Sequence, residues 1–401
     1  MSSSDDDAQE GQVPEGFDEE DAENPEKEEG LNEEEVPKRP LTKEIIAECI
    51  SLPYRLGYGF SHAYVKFDCS DKNLLDIELL RSYIHLRFIM MSNNFITDIS
   101  PLSEIPNLMY LKADNNQITS AEPLKSLRYI EYLDLSSNKI TTINNLSFLH
   151  LKHLKVNDNA IATLKSENDT NLSSEQFPAL HTLELRGNRL VTLSGIDDMI
   201  NLKTLYCAEN MLRRLEGISG LKSLVRLHLR DNRITTLSGF TESLTSLEYI
   251  NLRGNQIFKF SEVRHLGCLP SLKFLSLIDN PVTEKDDYRQ MVIGLVNKLQ
   301  RLDKQRVSDK IRSVAVDFVN KHADIFEQEA NEPDIIEEQN AEGMEEGKEK
   351  AEEADEEEEE EGGEGEGEKD EGEEDAEPED DDDDEGDDDD DAEEEEEEEE
   401  E

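Results

Sequence analysis

The chain contains no tryptophan and only four cysteines in 401 residues. Cys49, Cys69, Cys207 and Cys268 lie far apart, and no two stand at metal-ligand spacing. The sequence therefore encodes neither a disulfide framework nor a zinc site, and reduced thiols in an intracellular protein are expected. No hydrophobic run is long enough to span a bilayer, and the first residues are acidic, without the basic and apolar regions of a secretory leader. No membrane association or secretion is expected, and the N-x-[ST] sequons at Asn168 and Asn171 are read as chance matches. Catalytic signatures are missing too. The eight histidines are scattered, there is no glycine-rich phosphate loop, and no pair of carboxylates stands out. These absences predict no enzyme, no cofactor, no bound metal and no small-molecule substrate.

Basic charge is scarce only at the ends. The net charge is -57, but residues 1–40 hold 16 acidic and 3 basic residues, and residues 331–401 hold 47 and 3. The middle of the chain is left with 35 of each sign. Such a balanced body argues against nucleic acid, which demands a basic surface. After Phe326 there is no aromatic residue, and after Met344 no apolar residue larger than alanine. Segments so charged and so poor in apolar groups bury too little to fold alone. Disordered acidic tails are expected at 1–40 and 331–401. They serve either as solubilising ends or as contacts for basic proteins.

The body between them repeats. Nine segments fit L-x-x-L-x-L-x-x-N-x-L, with asparagines at 94, 116, 138, 159, 188, 210, 232, 255 and 280. The steps are 22, 22, 21, 29, 22, 22, 23 and 25 residues. This is the leucine-rich repeat. Each copy supplies one short strand whose alternate residues face one side, and stacking the copies buries those faces in a shared core. The expected fold class is α/β, a leucine-rich repeat solenoid with a curved parallel sheet, 22-residue repeats and helical caps. The asparagine row is read as a scaffold that satisfies buried turn backbone, not as a set of ligands.

An open stack needs covered ends. "YVKFDCSDKNL" fits the template with Lys72 in place of asparagine, as a degraded first copy. "PLTKEIIAECI" before it predicts a short helix with Thr42 as N-cap and Ile45, Ile46, Cys49 and Ile50 on one face. After Asn280 a helix is expected to bring Met291, Leu295 and Leu299 over the last core layer. The predicted divisions are a repeat domain with its caps over 41–306 and an amphipathic helix over 307–330. The 29-residue step marks an insertion at "SENDTNLSSEQF", expected as a polar loop on the convex edge.

Side chains that alternate with the core leucines must point to the concave face. One predicted column runs Phe88, Tyr110, Tyr132, His153, Thr182, Thr204, Arg226, Tyr249, Phe274, and the next places Tyr206 beside His228. A third carries Arg186, Arg230 and Arg253. Arginine and aromatic residues carry much of the energy of protein interfaces. Arg186, Tyr206, His228, Arg230, Tyr249, Arg253, Tyr110 and Tyr132 are thus the candidate partner-binding residues. The competing reading is that the arginines are spent on Glu184, Glu209 and Asp231 nearby.

Several stretches go beyond the repeat consensus. "SHAYVK" (61–66), "LLRSYIHLR" (79–87), "AENMLRRLEG" (208–217), "LHLRDNRITTLSGF" (227–240) and "DNPVTEKDDYRQ" (279–290) resemble the leucine-rich repeat-containing protein 23 family over roughly residues 41–304. That family consists of radial-spoke components of motile cilia and flagella. The resemblance implies a non-enzymatic structural role in sperm or ciliary motility. It also implies other radial-spoke proteins as partners, and a place in the cytoplasm and cytoskeleton, at the axoneme. The Asp/Glu run after residue 350 and much of the chain after Val307 lie outside it, and the third and fourth copies are more generic. Two further readings stay open: an acidic leucine-rich nuclear chaperone that binds histones, and a phosphatase regulatory subunit, which shares 22-residue repeats and a "YR…LD" cap.

Overall fold

Parallel strands of three residues cannot hold a sheet by themselves, so the architecture depends on what happens where each strand ends. The computed structural model describes residues 38–55, 61–165 and 171–331. Within them a 13-stranded sheet runs in chain order. Its strands are β1 (Ile50–Arg55), β2 (His62–Asp68), β3 (Phe88–Met90), β4 (Tyr110–Lys112), β5 (Tyr132–Asp134), β6 (His153–Lys155), β7 (Thr182–Glu184), β8 (Thr204–Tyr206), β9 (Arg226–His228), β10 (Tyr249–Asn251), β11 (Phe274–Ser276), β12 (Arg301–Leu302) and β13 (Gln305–Arg306). Strands β2 to β12 pair in parallel. The central residue of each copy is buried, as Leu227 and Ile250 are, and Leu229 and Ile234 of the same copy are also fully buried. This is a leucine-rich repeat solenoid with a continuous core.

The asparagines are the rungs. Asn232 donates through Nδ2 to the carbonyls of Cys207 (2.9 Å), Leu229 (3.1 Å) and Arg230 (3.2 Å). Its Oδ1 accepts the Leu212 amide of the preceding copy at 3.1 Å. One side chain thus satisfies one N–H and the carbonyls of Cys207 and Leu229, and adds a second donor to the Arg230 carbonyl, which also accepts the Glu209 amide. The pattern begins at Asn94, whose Oδ1 accepts the amides of Lys72 and Leu74, so the degraded first copy is held by the asparagine after it. It ends at Asp303, which accepts the Leu277 amide at 2.7 Å and the Tyr288 hydroxyl at 2.6 Å.

The rungs constrain the residue before them. Asn93, Asn115, Ser137, Asp158, Gly187, Glu209, Asp231, Gly254 and Asp279 all have positive φ, between 53° and 65°. Asparagine, aspartate and glycine tolerate this region; serine and glutamate do so at a cost. At Gly187 and Gly254 a Cβ would also stand 2.2 Å from the Oδ1 of Asp158 and Asp231 respectively, so a side chain there would have to displace that carboxylate as well as hold the left-handed backbone.

The ends are closed more elaborately than the repeat pattern foretells. Helix α1 (Lys43–Cys49) forms with Thr42 accepting the Ile45 amide, and Ile45, Ile46 and Cys49 are buried. Between it and the first repeat strand, β1 pairs antiparallel with β2. The folded body also starts before residue 41. The Arg39 amide donates to Asn73 and its Nε to Lys72, so the boundary drawn at residue 40 falls slightly late. At the carboxyl end α3 (Tyr288–Leu295) buries Met291, and Leu299 is buried after it. The sheet then turns back through a two-residue hairpin, Asp303 and Lys304 with φ of 50° and 67°, so that β13 is antiparallel to β12.

The single helix expected over 307–330 is divided. Helices α4 (Asp309–Lys321) and α5 (Asp324–Asn331) are separated at His322, whose φ of -116° and ψ of 36° leave the helical region. The break lets α5 return to the repeats. Glu329, 2% exposed, accepts the amides of Phe260 and Ser261 at 2.8 Å and pairs with Lys285 at 2.9 Å. Burial acts to raise its pKa, but Lys285 and the two amides outweigh it and hold the carboxyl below its usual range. The insertion differs from expectation as well. Residues 166–170 lie outside the described residues, but Leu172 and Phe177 beyond them are buried, with Phe177 packed against Phe148 at 6.2 Å. Two apolar side chains in a polar stretch are enough to draw it onto the core. The acidic tails expected at 1–40 and 331–401 lie outside the described residues apart from 38–40 and Asn331.

Loss of a rung should be costly and relief of backbone strain should help. Asn232→Ala is expected to lower stability by about 1–3 kcal/mol, since buried backbone groups lose their partner. Ser137→Gly should raise it by about 0.5–1 kcal/mol, because serine holds a left-handed conformation there. Denaturant melts of the two variants check both signs.

Candidate interaction surface

The register of the sheet fixes which side chains are neighbours on its exposed face. Tyr110 opposes Phe88 and Tyr132, and Tyr132 opposes His153. Tyr206 opposes Glu184 and His228, and His228 opposes Asn251. The structure therefore divides the eight candidate residues. Tyr110 and Tyr132 lie on β4 and β5; Arg186, Tyr206, His228, Arg230, Tyr249 and Arg253 lie on or just after β7 to β10.

In the first group the rings of Tyr110 and Tyr132 stack at 4.5 Å with planes 6° apart, and His153 continues the row at 6.2 Å. They line a shallow depression of about 290 Å³ with Phe88, Met109, Glu131 and Lys152. Tyr132 leans on the buried Asp134, its hydroxyl 3.4 Å from Oδ2. Burial first and Asp134 second push the phenol pKa up, so the group stays protonated.

In the second group His228 is held between two tyrosines, 4.4 Å from Tyr206 and 4.9 Å from Tyr249. Burial and then Arg226 push its pKa down to about 4. The imidazole is neutral at neutral pH and serves as the middle of an aromatic stack, not as a cation. The arginines flank this stack. Arg186 pairs with Glu209 at 2.8 Å, Arg230 with Asp231 at 2.7 Å and Arg253 with Asp279 at 2.8 Å. The competing expectation is thus met in part: Glu209 and Asp231 take arginines. Glu184 instead pairs with Lys155 at 3.0 Å and accepts from Asn157 at 2.8 Å. All three acids that hold arginines occupy the positive-φ position before a rung. Exposed pairs of this kind contribute only about 0–1 kcal/mol each, and a guanidinium has five N–H donors.

This face is suited to binding a protein through aromatic stacking and charge-assisted hydrogen bonds on rigid strands. Among the described residues no group of three or more His, Cys, Asp or Glu side chains is placed to hold a metal ion, and no helix is long and apolar enough to cross a membrane. The concave columns were legible from period alone. Three exposed arginines at the strand-exit turns, Arg189, Arg213 and Arg233, were not singled out, although the same template alignment locates them.

Comparison with known proteins agrees with this architecture. The leucine-rich repeat family profile matches residues 204–329, and a second leucine-rich repeat profile matches 129–151. The chain is 40% identical over 276 residues to leucine-rich repeat-containing protein 23 of Bos taurus, which covers 69% of this chain and 79% of that protein. It is 37% identical over 276 residues to the Homo sapiens protein of the same name, with 69% and 78% covered. Among solved structures, internalin C2 of Listeria monocytogenes matches with a TM-score of 0.40 at 24% identity, over 46% of this chain and 79% of that one.

The pKa of His228 is open to direct measurement. A folded value near 4 lies below the unfolded value of about 6.5. The unfolded chain then binds the proton more tightly, so this residue's contribution is full above about pH 6.5 and is lost as pH falls toward 4. NMR titration should place the His228 ring near 4, and the melting advantage over His228→Phe at pH 4 should be smaller than at pH 7. A ring that titrates at its ordinary value would mean that the stack is open.

Proposed function

The chain belongs to the leucine-rich repeat-containing protein 23 family, and from that premise we propose that it is a structural adaptor of the axonemal radial spoke. Membership of a leucine-rich repeat family gives a protein-binding adaptor role. The finer reading assigns other radial-spoke proteins as its partners, the cytoplasm and cytoskeleton of the cilium or flagellum as its place, and support of motility as its purpose. It acts by binding and positioning, without turnover of a substrate.

One observation supports docking on the sheet: Tyr206, His228 and Tyr249 form a continuous stack on consecutive strands, with Arg186, Arg230 and Arg253 along its side. The strands are pinned by the asparagine rungs, so little conformational entropy remains to be lost on binding. A partner carboxylate can share or replace Glu209, Asp231 or Asp279 on its arginine, and an apolar or aromatic partner group can cover the stack. The Asp/Glu-rich residues 331–401 are a separate candidate contact for basic proteins.

Arg230→Glu with Arg253→Glu separates the two. The variant should keep its melting temperature, because the lost pairs are exposed, and should fail to recover spoke proteins from demembranated axoneme extract, because reversed charge repels the partner's acids. Normal recovery by this variant, together with loss of recovery on deletion of 331–401, would move the docking site from the sheet to the acidic segment. Immunofluorescence on ciliated or sperm cells tests the location, and a nuclear signal would favour the chaperone reading.

A further inference from the structure

Basic charge is unevenly spread along the edge where the strands turn out of the sheet. Three template positions face that edge: two before the rung asparagine, one after it and three after it. In copies one to four they hold Ser92, Asp114, Ser136 and Asn157, then Phe95, Gln117, Lys139 and Ala160, then Thr97, Thr119, Thr141 and Ala162. There is no arginine among those twelve. In copies five to eight the same twelve positions hold six: Arg186, Arg189, Arg213, Arg230, Arg233 and Arg253. The rung bonds only the backbone carbonyl at the first of these positions, so the scaffold does not require arginine side chains at any of them.

Three of the six are paired, with Glu209, Asp231 and Asp279. Arg189, Arg213 and Arg233 are exposed and form no ion pair among the described residues. Template neighbours stand one strand spacing apart, about 4.8 Å. The six guanidiniums therefore occupy a patch some three spacings long, about 14 Å. Beside it lies the neutral aromatic row of Tyr206, His228 and Tyr249.

We propose that the strand-exit edge of copies five to eight binds an acidic polypeptide segment of a partner protein, through Arg189, Arg213 and Arg233 together with Arg186, Arg230 and Arg253. This deepens the adaptor reading and rests on it. Carboxylates suit the patch because each can take a bidentate grip on one guanidinium. A polypeptide also suits it better than nucleic acid does. Glu209, Asp231 and Asp279 interrupt the patch and repel a continuous phosphate chain, which carries a charge about every 1.7 Å of duplex axis. The side chains of an acidic segment can settle on separate arginines and avoid those acids. The chain as a whole is strongly acidic, with a net charge of -57, so bulk electrostatics opposes the capture of an anion. Binding must then come from a local patch, since at about 0.15 M salt charges act over a Debye length of about 8 Å.

The test uses the full chain and a fluorescein-labelled decaglutamate peptide, followed by fluorescence anisotropy at about 0.15 M salt. The wild-type chain should bind, and Arg189→Glu with Arg233→Glu should weaken binding about tenfold or more. Lys139→Glu, at the same template position in the third copy, should leave it unchanged. Thermal melts verify that each variant is folded, and Arg189→Gln with Arg233→Gln should weaken binding in the same direction if the charge-reversed variant does not fold. Absence of decaglutamate binding by the wild-type chain, or equal binding by the wild-type and Arg189/Arg233 variants, overturns the proposal. So does preference for a labelled single-stranded oligonucleotide over decaglutamate. Failure here leaves the adaptor reading intact provided that Arg230→Glu with Arg253→Glu still loses spoke proteins from axoneme extract. Normal recovery in that assay overturns the adaptor surface itself.

Discussion

The rung asparagine is the constraint from which the other features follow. A strand of three residues makes too few ladder bonds to fix its own ends, and the turn after it buries carbonyls with no backbone partner. One amide side chain per copy closes this gap by bonding its own copy and the one before it, as Asn188 does to Val156, Leu185 and Arg186 and to the Ile161 amide. The bond pattern forces the preceding residue into the left-handed region. Aspartate and glutamate placed there stand beside the exposed face and take the arginines of the next column. Scaffold chemistry and surface charge are thus coupled: the acid that balances Arg230 is Asp231, a residue whose backbone conformation the rung sets.

A stack built this way has two raw edges, and each is closed by antiparallel pairing. At the front β1 covers β2. At the back the Asp303–Lys304 hairpin reverses the chain, and Asp303 takes over the accepting role of the missing asparagine. Helix α5 then crosses back to the α2 segment, Phe260–Arg264, where Glu329 caps the first amides and meets Lys285. That buried carboxylate is tolerable because three donors surround it; without Lys285 the same position would leave a charge in the core uncompensated.

Much of this was written in the sequence because the period is rigid. A two-residue alternation inside a 22-residue repeat gives the inward leucines, the rungs and the outward columns at once, and the strand register reproduces the columns from Phe88 to Phe274. What the repeat did not encode was harder to read. The β1–β2 pairing belongs to no copy of the template. The break at His322 interrupts a face that looks continuously amphipathic in sequence. Glu329 meets Phe260 across 69 residues, with no local pattern to announce it. The partner of Glu184 turned out to be Lys155 on the preceding strand, because side chains on adjacent strands are closer than those along one strand. The arginines after the rungs were legible in principle, by comparing the free template positions of the first and second halves of the array. They were missed because attention to the sheet face passes over the turns.

The function proposed for this fold rests on a rigid face whose second half combines neutral aromatic rings with guanidiniums held in exposed ion pairs. Such a surface gains affinity from pre-organisation, and it selects partners by charge. The most direct measurement is site-specific photo-crosslinking in axoneme extract. A photoreactive phenylalanine analogue is placed either at Tyr206, on the sheet face, or at Leu149, an exposed apolar residue outside the strands. The account predicts a discrete crosslinked spoke protein from Tyr206 and none from Leu149. Crosslinks from Leu149 alone would contradict it and remove the sheet face as the docking surface.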